Sequence, residues 1–182
     1  CIPLYWKTVD TNADHLATVF STLASTFREL GRYDEAVECC KQSLALFDKC
    51  DESKIPAVIK KMQECLTKLN PSPDKLYEDA IAELKCKRYI VAENILQYIL
   101  NHAATNQFTS ETVSYYHSAL ASCYREMKNL NHAQKHANLC YELRLSALGE
   151  THRLTQAAKK KIEDIYSLAS DSGFKSVHSY AL

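Results

Sequence analysis

Apolar residues recur at steps of three and four along most of the chain, the spacing that lines one face of an α-helix. In the first such segment Leu16, Val19, Phe20, Leu23, Phe27 and Leu30 share a face. Gly31 ends it, because a residue without a Cβ enters left-handed geometry cheaply. A second stripe follows in Tyr33, Ala36, Val37, Cys40, Leu44 and Phe47, which predicts a helix to about Lys49. Ala24 and Ala36 are small where two antiparallel helices must come close. Asp10, Thr11 or Asn12 is expected to cap the first helix.

Asp51-Glu52-Ser53 breaks the pattern, and Ser53 with Pro56 is expected to open a third helix. Its stripe is Ile55, Val58, Ile59, Met62, Leu66 and Leu69. Asn70-Pro71-Ser72-Pro73-Asp74 is the strongest breaker in the chain and reads as a rigid inter-helix turn. Two helices follow over about 74–85 and 88–104, then a polar loop over 103–110, with Thr109 or Ser110 capping a sixth helix. A seventh runs from about Leu130 to Leu148 and stops at Gly149. Thr151 is expected to cap an eighth, with Leu154, Ala158, Ile162, Ile165 and Ala169 on its inner face and Lys159, Lys160, Glu163 and Asp164 outside. Residues 172–182 carry no period and read as a tail. Cys1 to Asp10, with Ile2, Leu4, Tyr5 and Trp6, is too apolar for a solvated end and is expected to pack on the first repeat or to continue a helix.

The stretch Leu23-Ala24-Ser25-Thr26-Phe27-Arg28-Glu29-Leu30 returns as Leu120-Ala121-Ser122-Cys123-Tyr124-Arg125-Glu126-Met127, and Ala36 returns as Ala133. Neither helix of such a pair can bury its stripe alone, so pairs must pack together and on a neighbour. The expected fold is all-α, with antiparallel helical hairpins stacked as a short solenoid of about eight helices. The arrangement resembles the tetratricopeptide repeat family on Phe20, Leu23, Ala24, Phe27, Gly31, Tyr33, Ala36 and Cys40. The later copy fits with His117, Leu120, Ala121, Tyr124, Leu130, Ala133 and Ala137, and Lys128-Asn129 replaces the glycine. Asn tolerates left-handed geometry, so the turn is expected to survive. A degenerate middle copy uses Leu76, Ala80, Tyr89, Ala92 and Leu96. Leu148-Gly149-Glu150-Thr151-His152 is similar to the linker of kinesin-light-chain-type repeats, with Arg153 where that family has proline. The whole is expected to form one helical domain over residues 1–182. Within it come repeat one at about 12–49, an inserted helix at 54–69, the degenerate repeat at 74–104, repeat three at about 110–148, a capping helix at 151–170 and a tail at 171–182.

Charge narrows the partners. Lys plus Arg and Asp plus Glu number 22 each, so no long-range field recruits nucleic acid or an anionic membrane, and no apolar run is long enough to span a bilayer. The short Lys159-Lys160-Lys161 run has Glu163 and Asp164 beside it and reads as a solvated face. Eight cysteines without a C-x-x-C pair are expected to be buried free thiols, which implies a reducing, cytoplasmic setting. The chain starts at Cys1 and is read as a fragment of something longer.

Candidate chemistry is sparse. His132, His136 and Cys140 are spaced four apart on one helix, a spacing that suits zinc, yet a fourth ligand is missing and Cys140 occupies a packing position. No phosphate loop, G-x-S-x-G or H-E-x-x-H occurs, so neither catalytic residues nor a metal or other cofactor are expected. Tyr180-Ala181-Leu182 would suit a groove that captures a terminal carboxylate. The resemblance implies a concave groove lined by the first helix of each pair. Its positions map to Thr18, Ser21, Ser25 and Arg28, to Tyr77 in the middle copy, and to Tyr115, Ser118, Ser122 and Arg125. A guanidinium there grips a carboxylate while hydroxyls and tyrosines hold a peptide backbone; the alternative is that Arg28 and Arg125 pair with Glu29, Glu126 or the next helix. The chaperone-clamping Lys-x-x-x-Asn helix of that family is absent. The expected function is a non-catalytic scaffold that binds a partner peptide or helix. The alternatives are a helical regulatory region of a larger enzyme and an architectural module that self-associates through the apolar edge around Trp6 and Leu4.

Overall fold

The computed structural model describes residues 9–48, 51–103 and 108–171, and these are helical with no strand among them. In order they form α1 (Val9–Glu29), α2 (Tyr33–Phe47), a 3-10 turn (Glu52–Lys54), α3 (Ile55–Leu69), α4 (Pro73–Lys85), α5 (Tyr89–Ala103), α6 (Ser110–Glu126), α7 (Leu130–Leu148) and α8 (Arg153–Asp171). The N-terminal segment with Leu4 and Trp6, the tail with Tyr180 to Leu182, and Cys50 lie outside the described residues. The chain divides into two compact units, residues 1–98 and 99–182, with the division inside α5.

In the first unit α1 packs on α2 and α2 on α3. Ala17, Ala24 and Ala36 are fully buried, and Ser43 Oγ donates to the Ala17 carbonyl at 2.8 Å, so the two helices approach where side chains are smallest. Val37, Cys40, Leu44 and Phe47 complete the expected stripe of α2, and Val58, Met62 and Leu66 that of α3. The stripe of α1 is a correction. Val19, Leu23 and Leu30 are 52%, 41% and 65% exposed, because Ala17 and Ala24 face α2 and turn that ridge away from it. In the second unit α6 packs on α7 and α7 on α8, and the corresponding positions of α6, Tyr116 and Leu120, are buried.

One turn recurs after α1, α4 and α6. Arg32, Arg88 and Asn129 donate backwards to the carbonyls of Phe27, Glu83 and Tyr124, and the residue before each donates to Arg28, Leu84 and Arg125. This double bond requires a left-handed residue. Gly31 fills it at φ 74°, but Lys87 (φ 60°) and Lys128 (φ 59°) fill it elsewhere. The α6–α7 turn therefore survives by a different route from the one expected. Lys128 takes the strained conformation, and Asn129 caps α7 by accepting from the His132 amide.

Other boundaries follow local chemistry. The backbone leaves helical geometry at Asn12 (φ −131°, ψ 16°), so the regular part of α1 starts at one of its three expected caps. Ser72 and Thr109 cap α4 and α6 by accepting from the amides of Lys75 and Thr112. Two expected caps move. Asp51, not Ser53, accepts at the 3-10 turn, and His152 Nδ1, not Thr151, accepts the Leu154 amide at the start of α8.

Candidate functional site

In the first unit α3 lies alongside α1. Lys61 Nζ of α3 donates to the Ser21 carbonyl at 2.6 Å and to Ser21 Oγ at 3.0 Å, and Lys54 pairs with Asp14 at 2.6 Å. Arg28 pairs with Glu64 of α3 at 2.5 Å, each more than a third exposed. Thr18 Oγ1 bonds back to the Asp14 carbonyl, and Ser25 Oγ to that of Ser21. The structure thus brings Ser21, Ser25 and Arg28 together on one face, with Ser21 occupied by Lys61. Tyr77 is half-buried on α4.

The second unit repeats the device with a different charge balance. Lys161 Nζ of α8 donates to the Ser118 carbonyl at 3.0 Å, to Ser118 Oγ at 2.9 Å and to Ser122 Oγ at 3.1 Å. Burial pushes the Lys161 ammonium below its ordinary value. Arg125 bonds Glu126 of its own helix through Nε and Nη2. Arg144 of α7 is only 5% exposed; it donates to Ser114 Oγ at 3.0 Å and to the Leu154 carbonyl at 3.1 Å, and its guanidinium lies 5.3 Å from the Tyr115 ring centroid. Tyr115 in turn meets Glu111 at 3.3 Å.

Both arginines are therefore paired within the chain, Arg125 with Glu126 as in the alternative expectation and Arg28 with Glu64 of α3, two helices on. Half-exposed pairs of this kind contribute about 0–1 kcal/mol, so a partner carboxylate can exchange into them at little cost. Lys61, Glu64 and Arg144 were not singled out by their spacing, and Lys161 is a correction: expected on a solvated face with Lys159 and Lys160, it turns inward to Ser118 and Ser122. The signal was present: Ile55, Val58, Lys61 and Cys65 of α3 correspond in register to Thr155, Ala158, Lys161 and Ile165 of α8. The predicted positions of α1 lie on one side of that helix, and those of α6 on one side of theirs, each partly covered by a lysine. The cleft of about 510 Å³ in the first unit is lined by other residues, among them Phe20, Leu46, Cys86 and Arg88.

His136 does not join His132 and Cys140 around a common point. Its Nδ1 lies 2.9 Å from His117 Nδ1, while His132 Nδ1 meets Asn129 Oδ1 and Cys140 is buried. Among the described residues no three His, Cys, Asp or Glu side chains are placed to hold a metal ion. The rings of His132, Tyr124, His136 and His117 instead form a column with centroid steps of 5.1, 5.4 and 5.1 Å. Burial, reinforced by His117, Lys135 and His132, pushes His136 down to about 4; burial and Lys135 lower His117 also. The unfolded chain therefore binds protons first, and stability falls as pH drops from about 6.5 towards about 4. At this half-buried site about 1–2 kcal/mol is expected to be lost between about pH 7 and about pH 5. His136→Gln should flatten that slope in urea unfolding; an unchanged slope would show that the column does not titrate this way.

The described cysteines are free thiols, and burial raises Cys40 to about 12, a packing role. Cys86 departs from expectation: at the C-terminal cap of α4 it is exposed. No helix among the described residues is long and apolar enough to cross a membrane.

A comparison with curated proteins gave no match. Residues 17–50 match the family model of the tetratricopeptide repeat. They span α2 and the part of α1 that packs on it, with the Gly31 turn between them. That helical pair, residues 17–50 of the 182, is what the chain shares with the tetratricopeptide repeat.

Proposed function

We propose that the chain is a non-catalytic interaction scaffold that holds a peptide or helix of a partner protein on the face formed by the first helix of each pair. The contact residues are Thr18, Ser21, Ser25 and Arg28 in the first unit, with Tyr77, and Tyr115, Ser118, Ser122 and Arg125 in the second. Tetratricopeptide repeats bind protein partners, and the recurrence of one serine–arginine pattern on α1 and α6 carries the reading. Ser25 and Arg28 correspond in register to Ser122 and Arg125, and all four side chains remain partly exposed. Free thiols favour a reducing, cytoplasmic setting. The kinesin-light-chain-type likeness of the turn before α8 belongs to this reading.

The test is selection from a random peptide library on the full chain, followed by titration of the selected peptides. Arg28→Ala with Arg125→Ala should weaken them by at least about tenfold without lowering the melting temperature. Equal binding by an equally stable double variant would show that the face is not the site.

A second reading rests on the exposed ridge of Val19, Leu23 and Leu30. In it α1 joins a second copy of the chain. Leu23→Asp should then abolish a concentration-dependent rise in sedimentation coefficient; a wild type that sediments as a monomer at every concentration removes this reading.

A further inference from the structure

In the first unit the outer side of α2 and α3 is covered: Val37, Lys41 and Leu44 of α2 and Met62 of α3 are buried. α4 supplies part of the cover, with Asp79 and Glu83 facing Lys41 Nζ at 3.3 and 3.9 Å. In the second unit Gln134, Asn138 and Tyr141 of α7 and Ile162 of α8 stand at the corresponding positions, and each is only half-buried. Gln134 Nε2 is moreover buried without a hydrogen-bond partner. The side that receives a helix in the first unit is thus partly open in the second.

α1 has the converse property. Its closing turn matches that of α4, so Leu23 and Phe27 occupy the positions of Asp79 and Glu83. Leu23 is exposed with Val19 and Leu30 beside it, and Phe27 is half-buried. The joint between α4 and α2 is ionic, two carboxylates against one lysine. On both uncovered surfaces that charge is gone, with Leu23 and Phe27 in place of the carboxylates and Asn138 in place of the lysine. A lysine set against Leu23, or a carboxylate against Asn138, would be a buried charge without its counter-ion, which is costly. The two surfaces suit each other and not the charged joint.

We propose that α1 of one copy of the chain seats on α7 and α8 of a second copy, in the place that α4 takes on α2 and α3. The inference rests on the self-association reading given above and adds the surface that receives α1. Leu23 and Val19 then cover Tyr141 and Ile162, so the contact is driven by apolar burial. Thr22 and Thr26 flank Leu23 and are exposed; each hydroxyl donates to its own backbone and keeps a lone pair to accept from the Gln134 amide. The contact joins unlike surfaces, so each added copy presents both again and association continues past the dimer.

The experiment follows sedimentation of the full chain against concentration. The wild-type coefficient should rise with concentration and pass that of a dimer. Leu23→Asp and Asn138→Lys should each weaken association by at least about tenfold, because each places an unpaired charge in an apolar contact. Both changes in one chain should restore it to within about threefold of the wild type, since they recreate between copies the pairing of Asp79 with Lys41. Melting temperatures should stay at the wild-type value; if Asn138→Lys lowers it, Tyr141→Lys with the same Leu23→Asp takes its place. A loss with Leu23→Asp and none with Asn138→Lys would overturn the proposal while leaving α1 as the associating edge, met by another surface such as a second α1. A double variant no better than Leu23→Asp alone would overturn it too. A wild type that is monomeric at every concentration would remove the self-association reading itself.

Discussion

Leu120→Ala is expected to cost roughly 2–5 kcal/mol, whereas Leu23→Ala, the same position of the same motif, should cost less than about 1 kcal/mol. Leu120 is fully buried on α6, and Leu23 is 41% exposed on α1. Truncating Leu120 removes buried carbons and leaves a void that the surrounding side chains fill only in part. Truncating Leu23 removes surface that water already touches. Thermal melts followed by circular dichroism would rank the two at once. Similar losses would mean that the α1 ridge is covered in solution, which would favour the self-association reading.

Lys41→Met is expected to cost about 2–3 kcal/mol, the second-largest effect, because it strips a buried carboxylate of one of the two cations that face it. Lys41 and Glu83 are each 8% exposed. Lys41 Nζ lies 3.3 Å from Asp79 and 3.9 Å from Glu83 Oε1, and Arg88 Nε lies 3.1 Å from Glu83 Oε2, out of line for a hydrogen bond. Burial raises the Glu83 carboxyl above its ordinary value against the pull of Arg88 and Lys41. Its folded state therefore takes up a proton before the unfolded chain does, and this group lowers stability at neutral pH and ceases to do so as pH falls through the raised value. Removing Lys41 should enlarge that effect. Glu83→Gln added to Lys41→Met should restore more than half of the loss at neutral pH in urea unfolding. A double variant no more stable than Lys41→Met would show that the lysine acts through its packed stem.

Much of the architecture was legible in the sequence, because a helix must hide one face and the steps of three and four betray which face it is. The stripe of α2 from Ala36 to Phe47 and the breakers at Asn70–Asp74 and Gly149 are direct outcomes of that constraint. Periodicity was silent on which part of a wide stripe is covered, and Val19 and Leu23 were misjudged for that reason. It was silent too on the turns, where Lys87 and Lys128 adopt glycine's conformation because two backbone hydrogen bonds hold them there. The predicted contact residues of α1 share one side of that helix, and those of α6 one side of theirs. What occupies them was hidden, since Lys61 and Lys161 reach Ser21 and Ser118 from helices forty or more positions away. The histidine column was hidden likewise: same-helix spacing grouped His136 with His132 and Cys140, whereas the nearest nitrogen belongs to His117 across the hairpin.

The two lysine clasps close loops of 40 and 43 residues, and each joins helices of a single unit. Contacts this local are made quickly, since little chain entropy is lost in closing them. During synthesis the first unit, residues 1–98, can therefore finish folding before α6 has emerged from the ribosome. A newborn chain of this design shelters its greasy surfaces in instalments, and a fault in the later block leaves the earlier one already safe from aggregation.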